Sequence, residues 1–453
     1  MKVETPRDLA LGVLNGLSRK PGFSASSLDT LFKSKPDLEE RDRAFISQLV
    51  QGAVRWQARL DWTIRQASDV SLKKISPPVL NVLRLALYQV FFLDRVPESA
   101  AVNEAVKQAK KRHPPYVVSF VNAVLRKACS KKNQLSFPDR RKNPVEYLSV
   151  FHSYPEWLVR KWVRERGIDF AESLLHAQNR IPALTVRSNS LKINRGGLIH
   201  RLQEEIGSAG KPTPYSPQGV RLEDFRGRVD RNKAFQDGLF QVQDEAAQVA
   251  SILLSPAAGE TVLDVCAGYG GKTTHLAELM GDRGKVIALD MNRTRLISLV
   301  TNAVRLGIRS AAAVAADASR NLSFLLHARF DRIVVDAPCS GLGVISRHPD
   351  GKWNKKEEDI PRLAQVQKGI LNSACSLLCR EGTLLYVTCT LSREENEEVV
   401  EACLAGNKDL ALVDLRERAP LWAKDLIDDR GFLRTFPHRH GMDGFFGALL
   451  RKK

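Results

Sequence analysis

The stretch "LDVCAGYGGKTTHLAE", Leu263 to Glu278, decides the fold of the C-terminal half of the chain. It runs from a short apolar segment into a glycine-rich turn and then into a pattern that predicts a helix. Glycine lets the backbone approach a ligand closely, and the N-terminus of a helix adds partial positive charge. The stretch therefore predicts a ligand site between a strand and a helix.

Further short apolar runs follow this turn, separated by helical stretches such as "RTRLISLVTNAVRLG"; the runs are "KVIALD", "AAAVAAD", "RIVVDAP" and "TLLYVTC". Short, fully apolar strands that alternate with helices predict a parallel, doubly wound α/β sheet of the Rossmann-like kind. Ligands of such sheets bind at the carboxyl ends of the strands. We therefore expect the chemistry of this half to lie along one edge of one sheet.

The glycine turn does not match the common nucleotide motifs. Thr273 stands where a G-x-G-x-x-G loop has its third glycine, and Cys266 stands where a Walker loop has its first. An acid, Asp264, followed by G-x-G suits S-adenosylmethionine. Asp290 and Asp317 end the next two strands, where they would meet the ribose hydroxyls and the adenine amino group. Each acid alone could be a helix cap or turn residue, but three on successive strand ends favour a cofactor site.

Two cysteines, Cys339 in "VVDAPCSGLG" and Cys389 in "LLYVTCTLS", follow the last two strands. They could form a disulfide, bind a metal, fill the core or act as a catalytic pair. The chain has seven scattered cysteines, which fits a reducing compartment better than a disulfide framework. No further Cys or His pair is placed to complete a zinc site, so we predict no metal. The other cysteines that we interpret as small core residues are Cys129, Cys375, Cys379 and Cys403.

Cytosine methylation gives a chemical reason for two cysteines. C5 of cytosine is too poor a nucleophile to take a methyl group directly. A thiolate that adds to C6 makes C5 enamine-like, and the adduct must later be resolved by loss of H5 and expulsion of the thiol. One cysteine would be the covalent nucleophile, and a second would assist elimination. The target base must be unpaired or flipped to reach such a site.

The sequence resembles the RNA cytosine-5 methyltransferases over nearly its whole length. Their two cysteine motifs are similar to "DAPCSGLG" and "VTCTLSREENEEVV", and their flanking motifs to "GLFQVQDEAAQVA" and "RTFPHRHGMDGFFGALLRKK". The helical stretches "RDRAFISQLVQGAVRW" and "VPESAAVNEAVKQAK" resemble the NusB-like domain of the small-subunit rRNA enzymes of the Fmu/Sun (RsmB) type. "PALTVRSNSLK" resembles the arginine-asparagine motif that precedes their catalytic domain.

This resemblance implies an S-adenosylmethionine-dependent enzyme that methylates C5 of a cytosine in 16S rRNA. It assigns the nucleophile to Cys389 and release of the adduct to Cys339. The residues that match the family's cofactor contacts are Cys266, Ala267, Gly268, Tyr269, Gly270, Gly271, Lys272, Asp290, Asp317 and Asp336.

The roles of four of these residues stay open. Asp336 could contact the methionyl end of the cofactor, or could hold the N3/N4 edge of the cytosine and act in catalysis. Lys272 could equally be a solvent-exposed lysine at the start of a helix. The family's turn reads Ala-x-Pro-Gly-Gly-Lys, whereas Gly268 and Tyr269 stand here in place of x-Pro. Tyrosine lacks the fixed φ of proline, so we expect a more mobile loop.

The remaining chain divides by pattern into two further parts. From Pro6 to about Lys132 the apolar spacing predicts five to seven helices and no strand. We predict an all-α, NusB-like RNA-binding domain over 1–135, a small α/β subdomain over 136–236, and the methyltransferase domain over 237–453.

The net charge of +18, from 69 basic and 51 acidic residues, indicates a polyanionic partner. RNA is favoured over a membrane surface, because the basic stretch Arg126–Lys142 has no apolar helical face. We expect this stretch and the helix around Arg160–Arg166 to hold phosphates. The chain has no apolar run of about 18 residues and no signal-peptide pattern. We therefore predict a cytoplasmic monomer.

Two other functions remain as alternatives. A tRNA cytosine-5 methyltransferase would share every catalytic motif, but the NusB-like helices argue against it. A non-catalytic RNA-binding or antitermination factor would use the helical domain alone. The presence of both cysteines and all the acids argues against that second alternative.

Overall fold

The computed structural model describes residues 4–20, 22–207, 210–223, 225, 227–320, 322 and 329–453. The chain forms two compact units. Unit 1 contains Met1–Arg180 and Ile345–Glu357, and unit 2 contains Ile181–Val344 and Glu358–Lys453. The domain boundaries at 135/136 and 236/237 stay predictions.

Unit 1 is all-helical where it is described, which agrees with the prediction for 1–135; residues 136–180, which we predicted to belong to an α/β subdomain, are helical as well. Its helix α5 is nearly all apolar and lies buried among the others, because it has no polar face to present to water. A proline occupies its first position, where the missing N–H costs nothing. The helices are α1 Pro6–Arg19, α2 Ser24–Ser34, α3 Glu40–Arg55, α4 Gln57–Ala67, α5 Pro77–Phe92, α6 Glu98–Lys110, α7 Pro115–Ser130, α8 Pro144–His152, α9 Glu156–Arg166 and α10 Ile168–Gln178.

The later part of the chain alternates strands and helices. The helices are α11 Arg195–Ile206, α12 Lys233–Gln236, α13 Glu245–Leu254, α14 Gly271–Leu279, α15 Arg293–Leu306, α16 Gly351–Asn354, α17 Asp359–Ser376, α18 Glu397–Gly406 and α19 Pro437–His440. The strands are β1 Leu184–Ser188, β2 Lys211–Pro212, β3 Gly219–Leu222, β4 Phe240–Val242, β5 Thr261–Val265, β6 Lys285–Asp290, β7 Ala311–Ala315, β8 Phe330–Asp336, β9 Leu378–Thr388, β10 Leu410–Val413, β11 Leu433–Arg434 and β12 Phe446–Lys452.

The larger sheet has the strand order β10-β12-β9-β8-β5-β6-β7, with β11 paired to β12. Strands β5 to β9 pair in parallel, whereas β12 is antiparallel to β9 and to β10. The predicted doubly wound α/β fold is therefore confirmed. The antiparallel edge was not predicted.

The register of the parallel strands brings their carboxyl ends into one row. Val265 of β5 lies beside Leu289 of β6 and Val335 of β8, and Asp336 lies beside Val387 of β9. The order of strands reverses between β5 and β8, which is the switch point where such sheets bind ligands. The turn after β5 and the ends of β8 and β9 therefore lie together.

A smaller antiparallel sheet, ordered β2-β3-β1-β4, lies in the same unit. Arg187 of β1 is fully buried and reaches helix α14, where it pairs with Glu278 at 2.7 Å. It also donates a hydrogen bond of 3.0 Å to the carbonyl of Gly271, at the start of that helix. This buried arginine thus ties the small sheet to the glycine turn.

The segment Ile345–Glu357 belongs to unit 1, although it follows Cys339 in sequence. Lys352 is fully buried there and donates a hydrogen bond of 2.8 Å to the carbonyl of Arg55. Its ammonium also lies 3.8 Å from the centroid of the Tyr154 ring. Burial lowers the pKa of Lys352 well below its usual range.

Over the described ranges, no helix is both long enough and apolar enough to span a membrane.

Candidate active site

The glycine turn closes tightly between β5 and α14. The amide of Ala267 donates to the carbonyl of Leu289 at 3.0 Å, and Gly270 donates to Ala267 at 2.9 Å. Gly268 and Gly270 have φ of 57° and 80°, the left-handed region that glycine adopts at no steric cost. Cys266 adopts φ of 64° without that freedom, so its backbone is strained.

Asp290 holds this turn from the neighbouring strand. One oxygen of its carboxylate accepts a hydrogen bond of 2.9 Å from the amide of Gly268, and the other accepts one of 2.7 Å from Asn292. Asn292, not Asp290, caps α15. The simple capping interpretation of Asp290 is therefore wrong.

Asp317 lies just past β7 in a local turn. Its carboxylate accepts hydrogen bonds from the amide and the hydroxyl of Ser319, at 3.0 and 2.6 Å, and pairs with Arg320. The bonds from Ser319 lower the pKa of Asp317. The geometry shows a turn-forming role, and the proposed contact with adenine remains a prediction.

The turn fits an adenosyl cofactor. A Cβ placed on Gly268 would meet nothing closer than 4.0 Å, so the backbone there faces open space. The Asp290 carboxylate beside it keeps lone pairs that ribose hydroxyls can use. Tyr269 is 65 % exposed, and its ring lies 5.8 Å from the guanidinium of Arg295. The side chain of the tyrosine that replaces proline is thus largely exposed to solvent.

Asp264 lies beneath the turn, fully buried, and accepts a hydrogen bond of 2.6 Å from the hydroxyl of Thr273. Burial raises the pKa of Asp264 to about 7. This acid therefore supports the first turn of α14.

Lys272 is not the solvent lysine that the sequence left possible. Its side chain is 8 % exposed, and its ammonium lies 2.7 Å from the carboxylate of Asp336 at the end of β8. Burial lowers the pKa of Lys272, but the charge and hydrogen bond of Asp336, together with the charge of Asp264, raise the pKa above its usual value. The lysine is therefore charged, and the pair crosses the switch point of the sheet.

Cys339 and Cys389 lie side by side, with 3.2 Å between their sulfur atoms, and both are free thiols of intermediate exposure. Cys389 directly follows β9, and Cys339 follows β8 by three residues. The hydrogen bond to Cys389 and burial both raise the pKa of the Cys339 thiol well above its usual range. The geometry of the pair allows either sulfur to donate, and the raised pKa keeps the Cys339 thiol protonated.

Cys375 and Cys379 are four residues apart and would lie one turn apart if they shared a helix. Cys375 and Cys379 do not share a helix, because α17 ends at Ser376 and Cys379 lies on β9. Cys375 instead lies 3.7 Å from Cys403, sulfur to sulfur, in the core. No cluster of His, Cys, Asp and Glu able to hold a metal occurs among the described residues.

Sequence reasoning missed a set of buried polar residues around the two thiols. Glu395 is fully buried and accepts hydrogen bonds from the loop after Cys339 and from Thr390. Asn396 is also fully buried and donates a hydrogen bond of 3.0 Å to the carbonyl of Thr390. The signal was the run "SREENEE", in which Glu395 and Asn396 follow a buried strand closely enough to be buried with it.

Two glycines bring the terminal motif against the cysteine loops. Gly343 donates a hydrogen bond of 2.9 Å to the carbonyl of Cys389, and Gly444 donates one of 2.9 Å to the carbonyl of Gly343. A Cβ on Gly343 would overlap the carbonyl oxygen of Gly444. This close approach explains the glycine in each motif.

The expected phosphate-binding segments lie in unit 1. Arg126, Lys131, Arg141 and Lys142 are exposed. Lys161, in contrast, is buried and pairs with Glu165 at 2.7 Å, so it does not present its charge. The first segment has five exposed basic residues and the second has three.

Three family models match the chain. They are "16S rRNA methyltransferase RsmB/F" over residues 251–451, "NusB family" over 4–130, and "Methyltr_RsmF/B-like, ferredoxin-like domain" over 154–229. Together they cover the catalytic half, the helical part and the small sheet.

Individual proteins match over comparable lengths. A Bacillus subtilis (strain 168) protein named "Probable ribosomal RNA small subunit methyltransferase B" is 36 % identical, with 100 % of each chain covered. The crystal structure of PH0851 covers 100 % of each chain at 29 % identity and a TM-score of 0.81. The structure of NSun6 from Pyrococcus horikoshii with SFG, an S-adenosylmethionine analogue, covers 67 % of this chain and 99 % of its own, at 25 % identity and a TM-score of 0.58.

The glycine turn, the acids at the strand ends and the paired thiols agree with these matches, and the match to the Bacillus subtilis relative spans the whole chain. The chain belongs to the 16S rRNA methyltransferase RsmB/F family and is an S-adenosylmethionine-dependent RNA methyltransferase.

Proposed function

We propose that the enzyme transfers a methyl group to C5 of a cytosine in 16S rRNA, through a covalent bond between Cys389 and C6 of the base. The observation that supports this most is the pair of thiols, 3.2 Å apart, where β8 and β9 end beside the cofactor turn. Two free thiols lie in contact at the edge of the sheet where ligands bind. They fit a reaction that needs one nucleophile and a second group that assists release of the covalent adduct.

The reaction begins when the Cys389 thiolate adds to C6 and breaks the C5=C6 double bond. S-adenosylmethionine, when bound, supplies an electrophilic methyl group on its sulfonium sulfur. C5 takes that methyl carbon, and S-adenosylhomocysteine is left. Loss of the C5 proton to a base then restores the double bond and expels the Cys389 thiolate.

Cys339 is proposed to act in the last step. Negative charge returns to the sulfur of Cys389 as its bond to C6 breaks. The Cys339 thiol lies within hydrogen-bonding distance of that sulfur and stays protonated, because its pKa is raised. It can therefore stabilise the leaving thiolate with its S–H.

Asp336 and Lys272 would serve the reacting centre as a charged pair. Lys272 binds one oxygen of Asp336, and the Asp336 side chain remains 34 % exposed. Its carboxylate is placed either for the methionyl end of the cofactor or for the N3/N4 edge of the cytosine. Both roles place Asp336 at the active site.

The proposed substrate is an unpaired or flipped cytosine of 16S rRNA, because relatives carry that substrate in their names and the helical part matches NusB. A target in tRNA is the second candidate, and binding without catalysis is the third. The exposed basic residues near Lys131 and Arg141 supply charge for the phosphates.

The decisive variant is Cys389→Ser. It should abolish methyl transfer from tritiated S-adenosylmethionine to unmethylated 16S rRNA and leave RNA binding intact. Cys379→Ser, on the same strand but away from the edge, is the matched control and should transfer normally. Normal turnover by Cys389→Ser would refute the covalent mechanism. Bisulfite mapping of rRNA and tRNA from cells lacking the gene would identify the substrate.

A further inference from the structure

The residue Glu395 lies on a short 3₁₀ turn that follows Cys389, with no exposed surface. A buried carboxylate is costly unless several donors satisfy it. Here one oxygen accepts hydrogen bonds from the amide of Ser340, at 2.8 Å, and from the side chain of Gln367, at 3.0 Å. The other accepts from the hydroxyls of Ser340 and Thr390, at 2.5 and 3.1 Å.

These donors come from both sides of the thiol pair. Ser340 directly follows Cys339, and Thr390 directly follows Cys389. The two hydroxyl oxygens also lie 2.7 Å apart, so the Thr390 hydrogen is shared between the Ser340 oxygen and the carboxylate. Gln367 closes the cluster from α17, because it also donates to the carbonyl of Pro338 at 2.9 Å. One carboxylate thus joins the residue after each cysteine.

The surrounding backbone is fixed to the same point. The hydroxyl of Tyr386, on β9, donates to the carbonyl of Glu395 at 2.7 Å. Asn396, the next residue, is bound to Thr388 at 2.5 Å and to Thr390 at 3.0 Å, on either side of Cys389. The position of Glu395 relative to β9 is therefore determined by several bonds.

We propose that Glu395 is a positioning residue that sets the separation of the Cys339 and Cys389 thiols. It acts through its hydrogen bonds to the two loops that carry the thiols. This inference rests on the proposed function for its effect on catalysis. Its effect on thiol spacing is independent of that function.

Two substitutions test whether the hydrogen bonds of Glu395, rather than the size of its side chain, set the spacing of the thiols. Glu395→Gln keeps an acceptor for Ser340 and Gln367, and its amide can donate to the two hydroxyls, which then act as acceptors. Glu395→Ala removes all of these bonds. Glu398→Gln changes an exposed acid at the start of α18 and is the matched control.

Thiol spacing can be measured without catalysis. Diamide oxidises two adjacent thiols to a disulfide and takes up the two electrons and two protons, and peptide mass spectrometry identifies the Cys339–Cys389 linkage. We expect Glu395→Ala to slow this linkage roughly tenfold or more, since a displacement of about 1 Å costs up to 10²-fold in a proximity-dependent reaction. Glu395→Gln and Glu398→Gln should react at close to the wild-type rate.

The same variants are then tested for methyl transfer to 16S rRNA transcribed in vitro. Glu395→Ala should lower kcat by about tenfold or more, with the KM for S-adenosylmethionine unchanged, because the cofactor turn is intact. Equal losses in Glu395→Gln and Glu395→Ala would overturn the positioning role. So would a wild-type disulfide rate in Glu395→Ala.

The outcomes distinguish this inference from the proposed function. Full transfer by Glu395→Ala, with none by Cys389→Ser, would overturn the inference alone. Normal transfer by Cys389→Ser would overturn the proposed function, and the disulfide assay would still decide the spacing. If Glu395→Ala does not fold, Ser340→Ala replaces it; it removes one hydroxyl donor, and unchanged disulfide and transfer rates would refute the proposal.

Discussion

The Lys272 ammonium and the Asp336 carboxylate form an ion pair of 2.7 Å across the switch point of the sheet. Lys272 lies in the first turn of the helix after the glycine turn, whereas Asp336 ends the strand that leads to Cys339. The pair therefore links the glycine turn to the strand that carries the cysteine loop.

Breaking this pair should reduce both stability and activity. Asp336→Asn leaves the Lys272 charge buried without its carboxylate, and we expect the free energy of unfolding to fall by about 2 kcal/mol. That is less than the roughly 3–5 kcal/mol of a fully buried pair, because Asp336 is partly exposed. Urea unfolding of Asp336→Asn and of Lys272→Met/Asp336→Asn checks this. The double variant should regain stability but not methyl transfer, and a double variant less stable than the single would contradict the ion-pair argument.

The buried Asp264 predicts a pH-dependent stability. Its pKa is about 7 in the folded protein and 3.8 in a model peptide. Between these values the folded state holds a proton that the unfolded state has lost, so the free energy of unfolding falls as pH rises through this window. Asp264→Asn has no such proton. Wild type should lose on the order of 1–3 kcal/mol relative to Asp264→Asn between pH 5 and 7.5 in urea unfolding; parallel pH curves would contradict this.

The acids of the cofactor edge should contribute unequally to affinity. Asp290 holds the turn through the amide of Gly268, whereas Asp317 is occupied by Ser319 and Arg320. We expect Asp290→Ala to weaken S-adenosylmethionine binding by roughly 10- to 100-fold, as for loss of a hydrogen bond to a charged group. Asp317→Ala should weaken this binding less, and Asp409→Ala, at an exposed position, should leave it unchanged. Calorimetry measures all three, and a larger loss at Asp317 would reverse this assignment.

Cys339→Ala should let the covalent protein–RNA adduct form but slow its release. The sulfur of Cys389 would lose the S–H donor that lies 3.2 Å away when it leaves C6. A shifted band on a denaturing gel, absent from Cys379→Ala and from Cys339→Ala/Cys389→Ser, is the expected result. If Cys339→Ala turns over normally and yields no adduct, Cys339 has no role in release.

The basic segment should control the salt dependence of RNA binding. Lys131, Arg141 and Lys142 are exposed. Replacing all three with glutamine should reduce the slope of log affinity against log salt by about 2, since each phosphate contact contributes about 0.7–0.9 to the slope. Glutamines at the exposed positions 285, 408 and 424 form the control with the same charge change. Filter binding from low to high salt measures both, and equal slopes would exclude the segment from the RNA interface.

Much of the active site could be predicted because a parallel sheet gathers its strand ends. Asp290, Asp336, Cys339 and Cys389 each end or follow an apolar run, and the register of the strands places these ends in one row. Local sequence patterns indicate which strands are buried on both faces. Because βαβ connections make these strands parallel, their carboxyl ends meet at one edge of the sheet. The helical unit was equally readable from its 3.6-residue periodicity.

The sequence by itself determined the parallel α/β core, the all-helical part, the acidic and thiol groups at one edge, and the excess of positive charge. Only the tertiary structure decided that Lys272 is buried against Asp336, that Glu395 joins both cysteine loops, and that Ile345–Glu357 packs within the helical unit. The reason is physical: periodicity reports which face of an element is buried. The partner of a buried charge depends on contacts between residues far apart in the chain, and a local sequence pattern carries no information about such contacts.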